Sequence, residues 1–383
     1  MNDSSLLSEG GFGCVYHPSI GCLSSAKTKQ PLSHRNKFVS KIQHQDDTTK
    51  NEIYIGTIVR QINQYKMYFA PIVKQCKPIT LSQLKGDEFK ECTLLAKKKG
   101  ASYIITESRF VDNLTFFKYM IASDNNKELI LNIMSTYTHL ITALNRLHQQ
   151  HIVHYDLKGE NIVYDTKRTV PIIIDFGLSI PLHKITKQSL GAYFYVYAPD
   201  YYVWAPEIHF LCFLLNDNSS PSKNEIKEIS KTIVSNNISL RYLYSPDFLV
   251  QYTENLQRYL LTFHGKTPHE VFQMIQPYSN TWDNFSVSMI YMRILYYLNI
   301  EGFTKNEFII YFSKLLLQNA HPNPKRRLTP TQTILLFNKY FYKSGVNAER
   351  DYKELLYSLG KNKSVIGSLI TMDESKLNSI ITR

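Results

Sequence analysis

Residues 152–161 read IVHYDLKGEN, and residues 172–177 read IIIDFG. Each stretch is a short β-branched or apolar run that delivers the chain into a polar cluster, the pattern of a buried strand ending at a site. Asp156 can accept a proton from a hydroxyl. Lys158, two residues on, can neutralise charge on a phosphoryl group in transfer. Asn161 offers an oxygen to a hard cation. Asp175 places a carboxylate at a strand end, and Gly177 permits an unusual backbone angle there. Mg²⁺ takes oxygen ligands, commonly with only one or two protein carboxylates beside substrate phosphates, and Asn161 with Asp175 meets that requirement. Tyr155 is the member of the cluster that this chemistry does not call for.

The rest of the chain sets bounds on what can surround the cluster. Its 383 residues suffice for one large domain or two fused lobes, and 43% hydrophobic content excludes a disordered chain. Lys and Arg number 44 against 32 Asp and Glu, a net charge of +12 that favours acidic partners. No long basic tract concentrates that charge; the densest run, KKK at 97–99, reads as a solvated loop. Neither a signal pattern nor an apolar run of roughly 20 residues is present, so a soluble intracellular protein is expected. The five cysteines (Cys14, Cys22, Cys76, Cys92, Cys212) lack zinc-knuckle spacing and are expected as reduced thiols.

Residues 5–45 read as two short strands around a glycine turn and a third strand, KFVSKIQ. Residues 47–64 have helical spacing, with Ile53, Ile55, Ile58, Val59 and Ile62 on one side and Asp46 or Asp47 as cap. Strands are expected over 70–79 and 101–108, with a polar helical excursion between them. Residues 126–150 form a strong amphipathic helix, more plausible as core than as a partner-binding face. Beyond 207 the chain is mainly helical. The stretch around 214–250, polar at its start, reads as a loop or an inserted element, and residues from 344 on read as an appendage.

SEGGFGCVY (8–16) is a glycine-rich hairpin whose backbone can approach an anion closely. By itself it is more often a plain turn; a dinucleotide-binding turn is disfavoured because no helix pattern follows. Lys41 in FVSKI can reach phosphates from its strand, although a lone strand lysine is usually just solvated. Glu52 can pair with Lys41 or be an ordinary surface glutamate. His148, His151 and His154 recur every three residues, but structural roles fit them better than a metal site.

Taken in order, the glycine hairpin, the strand lysine, HYDLKGEN and, thirteen residues on, DFG resemble the signature set of eukaryotic-type protein kinases. The resemblance covers about residues 5–340. It implies an α+β bilobal fold: a small β-rich N-lobe over 1–108, a larger mainly helical C-lobe over 109–343 with an insertion within 208–282, and a C-terminal appendage over 344–383. It implies ATP binding by Ser8, Gly10, Gly11, Gly13, Val15, Lys41, Glu52, Thr106, Glu107 and Arg109. Ser8 stands where the family's first glycine is, and the Lys41–Glu52 spacing is short for the family. Thr106 would be the gatekeeper, and Glu107 and Arg109 would lie in the hinge beside the adenine. Asp156 resembles the catalytic base, Lys158 the γ-phosphate contact, and Asn161 and Asp175 the ligands of Mg²⁺ or Mn²⁺. WAPE (204–207) resembles the end of the activation segment, with Glu207 expected to pair with Arg327. Asp283 resembles the buried aspartate that braces the catalytic loop.

Seventy-five residues separate Glu207 from Asp283, more than is usual, and the activation segment ends in the aromatic run APDYYVWAPEIHFL. Both features resemble protein kinases encoded by large cytoplasmic DNA viruses, which implies the host cytoplasm and the virion as setting. Lys158 two residues after the base implies Ser/Thr rather than Tyr specificity. The implied partners are protein substrates, with nucleic acid not required and no membrane. A pseudokinase scaffold and a small-molecule kinase on the same fold are the alternatives; the complete set Lys41, Asp156, Lys158, Asn161 and Asp175 argues against the first, and WAPE with Arg327 against the second. Most of the family has arginine where this chain has Tyr155, and that arginine pairs with an activating phosphate. Tyr155 has no charge to offer one, so activity independent of phosphate on Thr186 or Ser189 is expected.

Overall fold

The computed structural model describes residues 4–11, 13–22, 31–84, 89–96, 101–111, 114–122, 126–217, 220–298 and 307–341. The chain divides into two units. Among the described residues, the first holds those up to Thr115 together with 161–179, and the second holds 116–160 and 180–341. The expected single boundary near residue 108 is therefore replaced by three crossings: the chain passes to the second unit after Thr115, returns to the first at Asn161 for the DFG stretch, and leaves it again after Ser179.

The first unit is built on an antiparallel sheet. Its elements are β1 (Ser5–Gly10), β2 (Gly13–His17), α1 (Leu32–Arg35), β3 (Phe38–His44), α2 (Asp47–Val59), β4 (Ile72–Gln75), β5 (Ile79–Thr80), α3 (Thr93–Ala96) and β6 (Ser102–Arg109). The strand order is β1-β2-β3-β6-β4, with β5 also on β6. The register pairs Ser8 with Val15, Val15 with Lys41, and Lys41 with Thr106. Paired residues project to the same side of a sheet, so these four share one face. The opposite face carries a core of Tyr16, Ile42, Ile79, Phe89, Leu95, Tyr103 and Ile105, all buried.

That core corrects the expectation for the cysteines. Cys14 is bonded to Cys92 and Cys22 to Cys76, with Cα separations of 6.0 and 5.3 Å, and Cys212 alone is a free thiol. The partners lie 78 and 54 residues apart, so no local spacing announces them; the sheet brings them together. Helix α2 begins where expected, with the Asp46 side chain accepting the Thr49 amide at 2.9 Å. Glu52, Ile55, Gly56 and Val59 form its buried side. A Cβ at Gly56 would sit 2.9 Å from the Ile72 carbonyl oxygen, so only glycine lets α2 lie this close to β4.

In chain order the remaining elements are α4 (Phe116–Ala122), α5 (Asn126–Gln149), β7 (Ile152–Val153), β8 (Ile162–Asp165), β9 (Val170–Ile173), β10 (Ile180–Pro181), α6 (Leu190–Tyr193) and α7 (Pro206–Asp217). There follow α8 (Lys223–Asn236), α9 (Ile238–Leu243), α10 (Pro246–Leu260), α11 (Pro268–Ile275), α12 (Trp282–Leu298), α13 (Glu307–Asn319) and α14 (Pro330–Phe341). All but β8 and β9 belong to the second unit.

The second unit is mainly helical. Tyr137 on α5 meets Tyr291 on α12 and Phe312 on α13 edge-on at 5.0 and 5.1 Å, a preferred aromatic geometry. Their hydroxyls are satisfied: Thr136 Oγ1 lies 2.8 Å from Tyr291 Oη, and Asn319 donates to Tyr137 Oη at 3.0 Å. Within the polar stretch that reads as a loop or an inserted element, residues 223–236 form helix α8. Ser222 and Glu225 form a capping box that starts this helix. Ser245 caps α10, and Thr267 with Glu270 boxes the start of α11. Among the described residues, no helix is long and apolar enough to cross a membrane. The KKK run and the proposed appendage lie outside the described residues.

Candidate active site

In the first unit, Lys41 is the centre of an ion cluster. Its Nζ lies 3.2 Å from Glu52 Oε2 and 3.0 Å from Asp175 Oδ1. Burial by itself would lower the Lys41 ammonium; the carboxylates of Asp175 and Glu52 outweigh it and hold the group above its ordinary value. Burial pushes the Glu52 carboxyl up, and Lys41 opposes that push. The short sequence spacing to Glu52 is thus no obstacle, because α2 packs tightly enough on the sheet to bring the carboxylate over β3.

Asp175 reaches Lys41 through the β8–β9 ladder. Ile162 pairs with Ile173, and just beyond them the Ile174 amide donates to the Asn161 carbonyl at 2.9 Å. This closure sets Asn161 beside the residue preceding Asp175. Asp175 has φ 57, in the left-handed region that aspartate tolerates better than most side chains. The Gly177 amide donates to its Oδ1 at 3.3 Å. Phe176 is buried and meets Phe69 edge-on, anchoring the turn. The Asp175 carboxylate beside Lys41 and the amide oxygen of Asn161 are both hard donors, a set that fits a divalent cation that also binds phosphates.

Ser8, Val15 and Thr106 lie in the same cross-strand row as Lys41. Gly10 and Gly13 face each other at the end of the β1–β2 hairpin, with Gly11 in the turn. A Cβ at Gly10 would meet nothing within 4 Å, whereas at Gly13 it would stand 2.7 Å from the Ile42 carbonyl oxygen. Gly13 is therefore required by the sheet itself, and Gly10 is the position left open for a ligand. Glu107 and Arg109 depart from the expected hinge. Both are still within β6, and strand alternation turns Glu107 away from the Lys41 face. Its carboxylate accepts from Ser19 Oγ and pairs with Lys74 at 2.9 Å. Arg109 pairs with Asp165 at 3.3 Å and donates to the Lys66 carbonyl.

In the second unit, Asp156 and Lys158 follow β7, with Lys158 Nζ 3.5 Å from Asp156 Oδ2 and both side chains nearly buried. Asp283 braces the loop: its carboxylate accepts the amides of His154 at 2.7 Å and Tyr155 at 2.9 Å. Burial pushes the Asp283 carboxyl up, opposed by His154 and those two amides. Tyr155 has φ 71, a conformation that costs about 1–3 kcal/mol for a side chain of this size. Gly159 cannot be replaced freely, since a Cβ there would fall 1.9 Å from the Phe117 ring. Glu207 and Arg327 form a bidentate pair at 2.7 and 2.8 Å with both side chains fully buried. His148, His151 and His154 do not form a metal cluster. Among the described residues the only close group of metal-type side chains is Glu9 with the disulfide-bonded Cys14 and Cys92.

Two residues near Asp156 carried no assigned role in the sequence. Tyr201, fully buried, donates its hydroxyl to Asp156 Oδ1, and Trp204 Nε1 donates to the Tyr155 carbonyl at 2.6 Å. The only sign of them was the aromatic run that ends at WAPE.

Comparison with known proteins identifies the family. The protein kinase domain family matches residues 4–226. The chain is 43% identical over 163 residues to the serine/threonine-protein kinase nekl-2 of Caenorhabditis elegans, covering 42% of this chain and 41% of that protein. It is 24% identical over 220 residues to the serine/threonine-protein kinase KIN4 of Saccharomyces cerevisiae, covering 48% of this chain and 26% of that one. The chain thus spans less than half the length of these curated relatives. Among solved structures, the autoinhibited serine kinase domain of the giant muscle protein titin aligns over 92% of this chain and 86% of that one, at TM-score 0.43 and 15% identity. The matched region holds the glycine hairpin, Lys41, the catalytic loop and DFG, and the chain belongs to the protein kinase domain family.

Proposed function

We propose that the chain is an active serine/threonine protein kinase that transfers the γ-phosphoryl group of ATP to protein hydroxyls. The observation that carries this is the Lys41 cluster: a buried ammonium held between Glu52 and Asp175. Placing the charges of Lys41 and Glu52 almost out of water, beside a partly exposed Asp175, is costly, and a scaffold with no phosphate to bind gains nothing from it. Lys41, on the open face of the sheet, neutralises the α- and β-phosphates. Asn161 and Asp175 would hold Mg²⁺ or Mn²⁺, which when bound neutralises charge on the phosphate oxygens. Asp156 takes the proton of the acceptor hydroxyl as the new P–O ester bond forms and the bond to the β-phosphate oxygen breaks, leaving ADP. Lys158 offsets charge on the group in transfer. Positioning and electrostatics supply most of the rate.

Protein rather than small-molecule acceptors are favoured by WAPE and its partner Arg327, which hold the end of the activation segment in place. The long stretch between Glu207 and Asp283 and the aromatic segment end support the likeness to kinases of large cytoplasmic DNA viruses. The setting we propose is the host cytoplasm and the virion; two disulfides suit the virion half of that assignment, because cytosolic thiols are kept reduced.

The test is incubation of the purified protein with labelled ATP, Mg²⁺ and mixed protein substrates beside Asp156→Asn, followed by phosphoamino-acid analysis. Phosphoserine and phosphothreonine from wild type, falling about a hundredfold or more in the variant, are expected. Equal labelling by both proteins would refute catalysis, and phosphotyrosine as the main product would refute the specificity.

A further inference from the structure

Tyr155 sits at positive φ, yet all its polar groups are engaged. Its amide donates to Asp283 Oδ1 at 2.9 Å, its carbonyl accepts from Trp204 Nε1 at 2.6 Å, and its hydroxyl lies 3.6 Å from Cys212 Sγ on α7. Its ring stacks on Trp204 at 4.7 Å with 25° between planes, and Phe194 meets it edge-on at 5.7 Å. Trp204 in turn meets Tyr201 edge-on at 5.0 Å, and the Tyr201 hydroxyl donates to Asp156 Oδ1. The contacts close a ring: Tyr155 to Trp204 to Tyr201 to Asp156, and back to Tyr155 through one peptide bond. Every member is buried.

From this ring we infer that Tyr201 is a positioning residue for the base Asp156, and that Tyr155 and Trp204 hold it in place. A carboxylate on a short side chain can rotate. A phenol donating to Oδ1, with its ring fixed against an indole, selects one orientation and leaves Oδ2 on the side of Lys158. The activation segment is thereby tied to the catalytic loop by aromatic packing and neutral donors, with no formal charge on the segment's side. This is what the tyrosine before the base accomplishes: a residue of that size stacks on Trp204, reaches Cys212 and carries no charge that a phosphate would have to balance. Burial beside Asp156 also keeps the Tyr201 phenol protonated, which the donor role requires.

The inference rests on Asp156 being the base, and the test separates the two. Tyr201→Phe keeps the ring and its packing and removes only the hydroxyl. Its kcat is expected to fall about tenfold or more, with KM for ATP within about twofold of wild type, because the loss is confined to the chemical step. Thermal unfolding should remain close to wild type. Introduced into Asp156→Asn, the same change should lower the residual rate by less than about twofold, since a group that acts through Asp156 has nothing left to position. Trp204→Phe, which keeps an aromatic ring and loses the N–H to Tyr155, should reproduce the kcat loss in milder form. If Asp156→Asn is impaired while Tyr201→Phe and Trp204→Phe turn over within about twofold of wild type, the positioning role is wrong and the kinase reading stands. A multiplicative loss in the Asp156→Asn background would also overturn it. If Asp156→Asn itself matches wild type, the reading of Asp156 as base fails first.

Discussion

His209 sits one helical turn into α7, fully buried, with its ring near Trp204. Burial pushes its imidazolium down to about 4. The unfolded chain therefore takes up a proton on this residue as pH falls through about 6.5, and the folded chain does not until about 4. Stability from this group is present above the upper value and lost across that window. Between about pH 7.5 and pH 5 the loss should amount to about 2 kcal/mol. Urea unfolding at the two pH values checks this: His209→Gln should show a smaller fall than wild type by about that amount, and equal falls would contradict it. Neither this histidine nor Tyr201 stood out in the sequence, because their importance comes from burial against a segment whose path is not written in local spacing. Asp156, Asn161 and Asp175 stood out because short strands end or begin beside them, and Lys41 because its strand follows the glycine hairpin. Glu107 and Arg109 were expected in a hinge, whereas β6 runs on through Arg109 and holds both within the strand.

At the scale of elements, the close approach of α2 to the sheet decides whether Glu52 reaches Lys41. Gly56 makes the approach, one turn after Glu52 on the same buried side. Gly56→Ala would gain up to about 1 kcal/mol of helix propensity and set a methyl 2.9 Å from the rigid Ile72 carbonyl. The helix must then move outward, and net destabilisation of about 1–3 kcal/mol is expected. KM for ATP should rise with it, as Lys41 loses its brace. Unchanged unfolding and unchanged KM would show that α2 is looser on the sheet than described. The helix itself was legible from its spacing and its Asp46 cap; the tightness of its packing was not, because a glycine inside a helix pattern looks the same whether it is a flaw or a contact. The insertion shows the converse. Its polar opening suggested a loop, yet Ser222 and Glu225 are the capping box of α8, and capping residues are polar by necessity.

At the scale of the molecule, the order of elements was legible throughout: β-rich first, helical second, with the charged cluster where one gives way to the other. What the sequence could not show was that residues 161–179 return to the first unit, so Lys41, Glu52, Asn161 and Asp175 belong to one body and Asp156, Lys158 and Tyr201 to another. Nor could it show the two disulfides, whose partners meet only once the sheet exists. The second body carries its own means of holding the loop of Asp156 and the activation segment: Asp283 on the loop, Glu207 on Arg327 for the segment, and the aromatic ring through Trp204 between the two. Thr186 and Ser189 contribute a local turn, with the Thr186 amide donating to Ser189 Oγ at 2.9 Å. The central claim is thus of a kinase complete in its chemistry and independent of an activating phosphate. Its most direct measurement is γ-phosphoryl transfer at saturating ATP by wild type, Thr186→Ala/Ser189→Ala and Asp175→Ala, each verified as folded. The account predicts that the double variant stays within about tenfold of wild type while Asp175→Ala falls by about a hundredfold or more. Transfer by Asp175→Ala at the wild-type rate would contradict the chemistry, and loss of transfer in the double variant would contradict the independence.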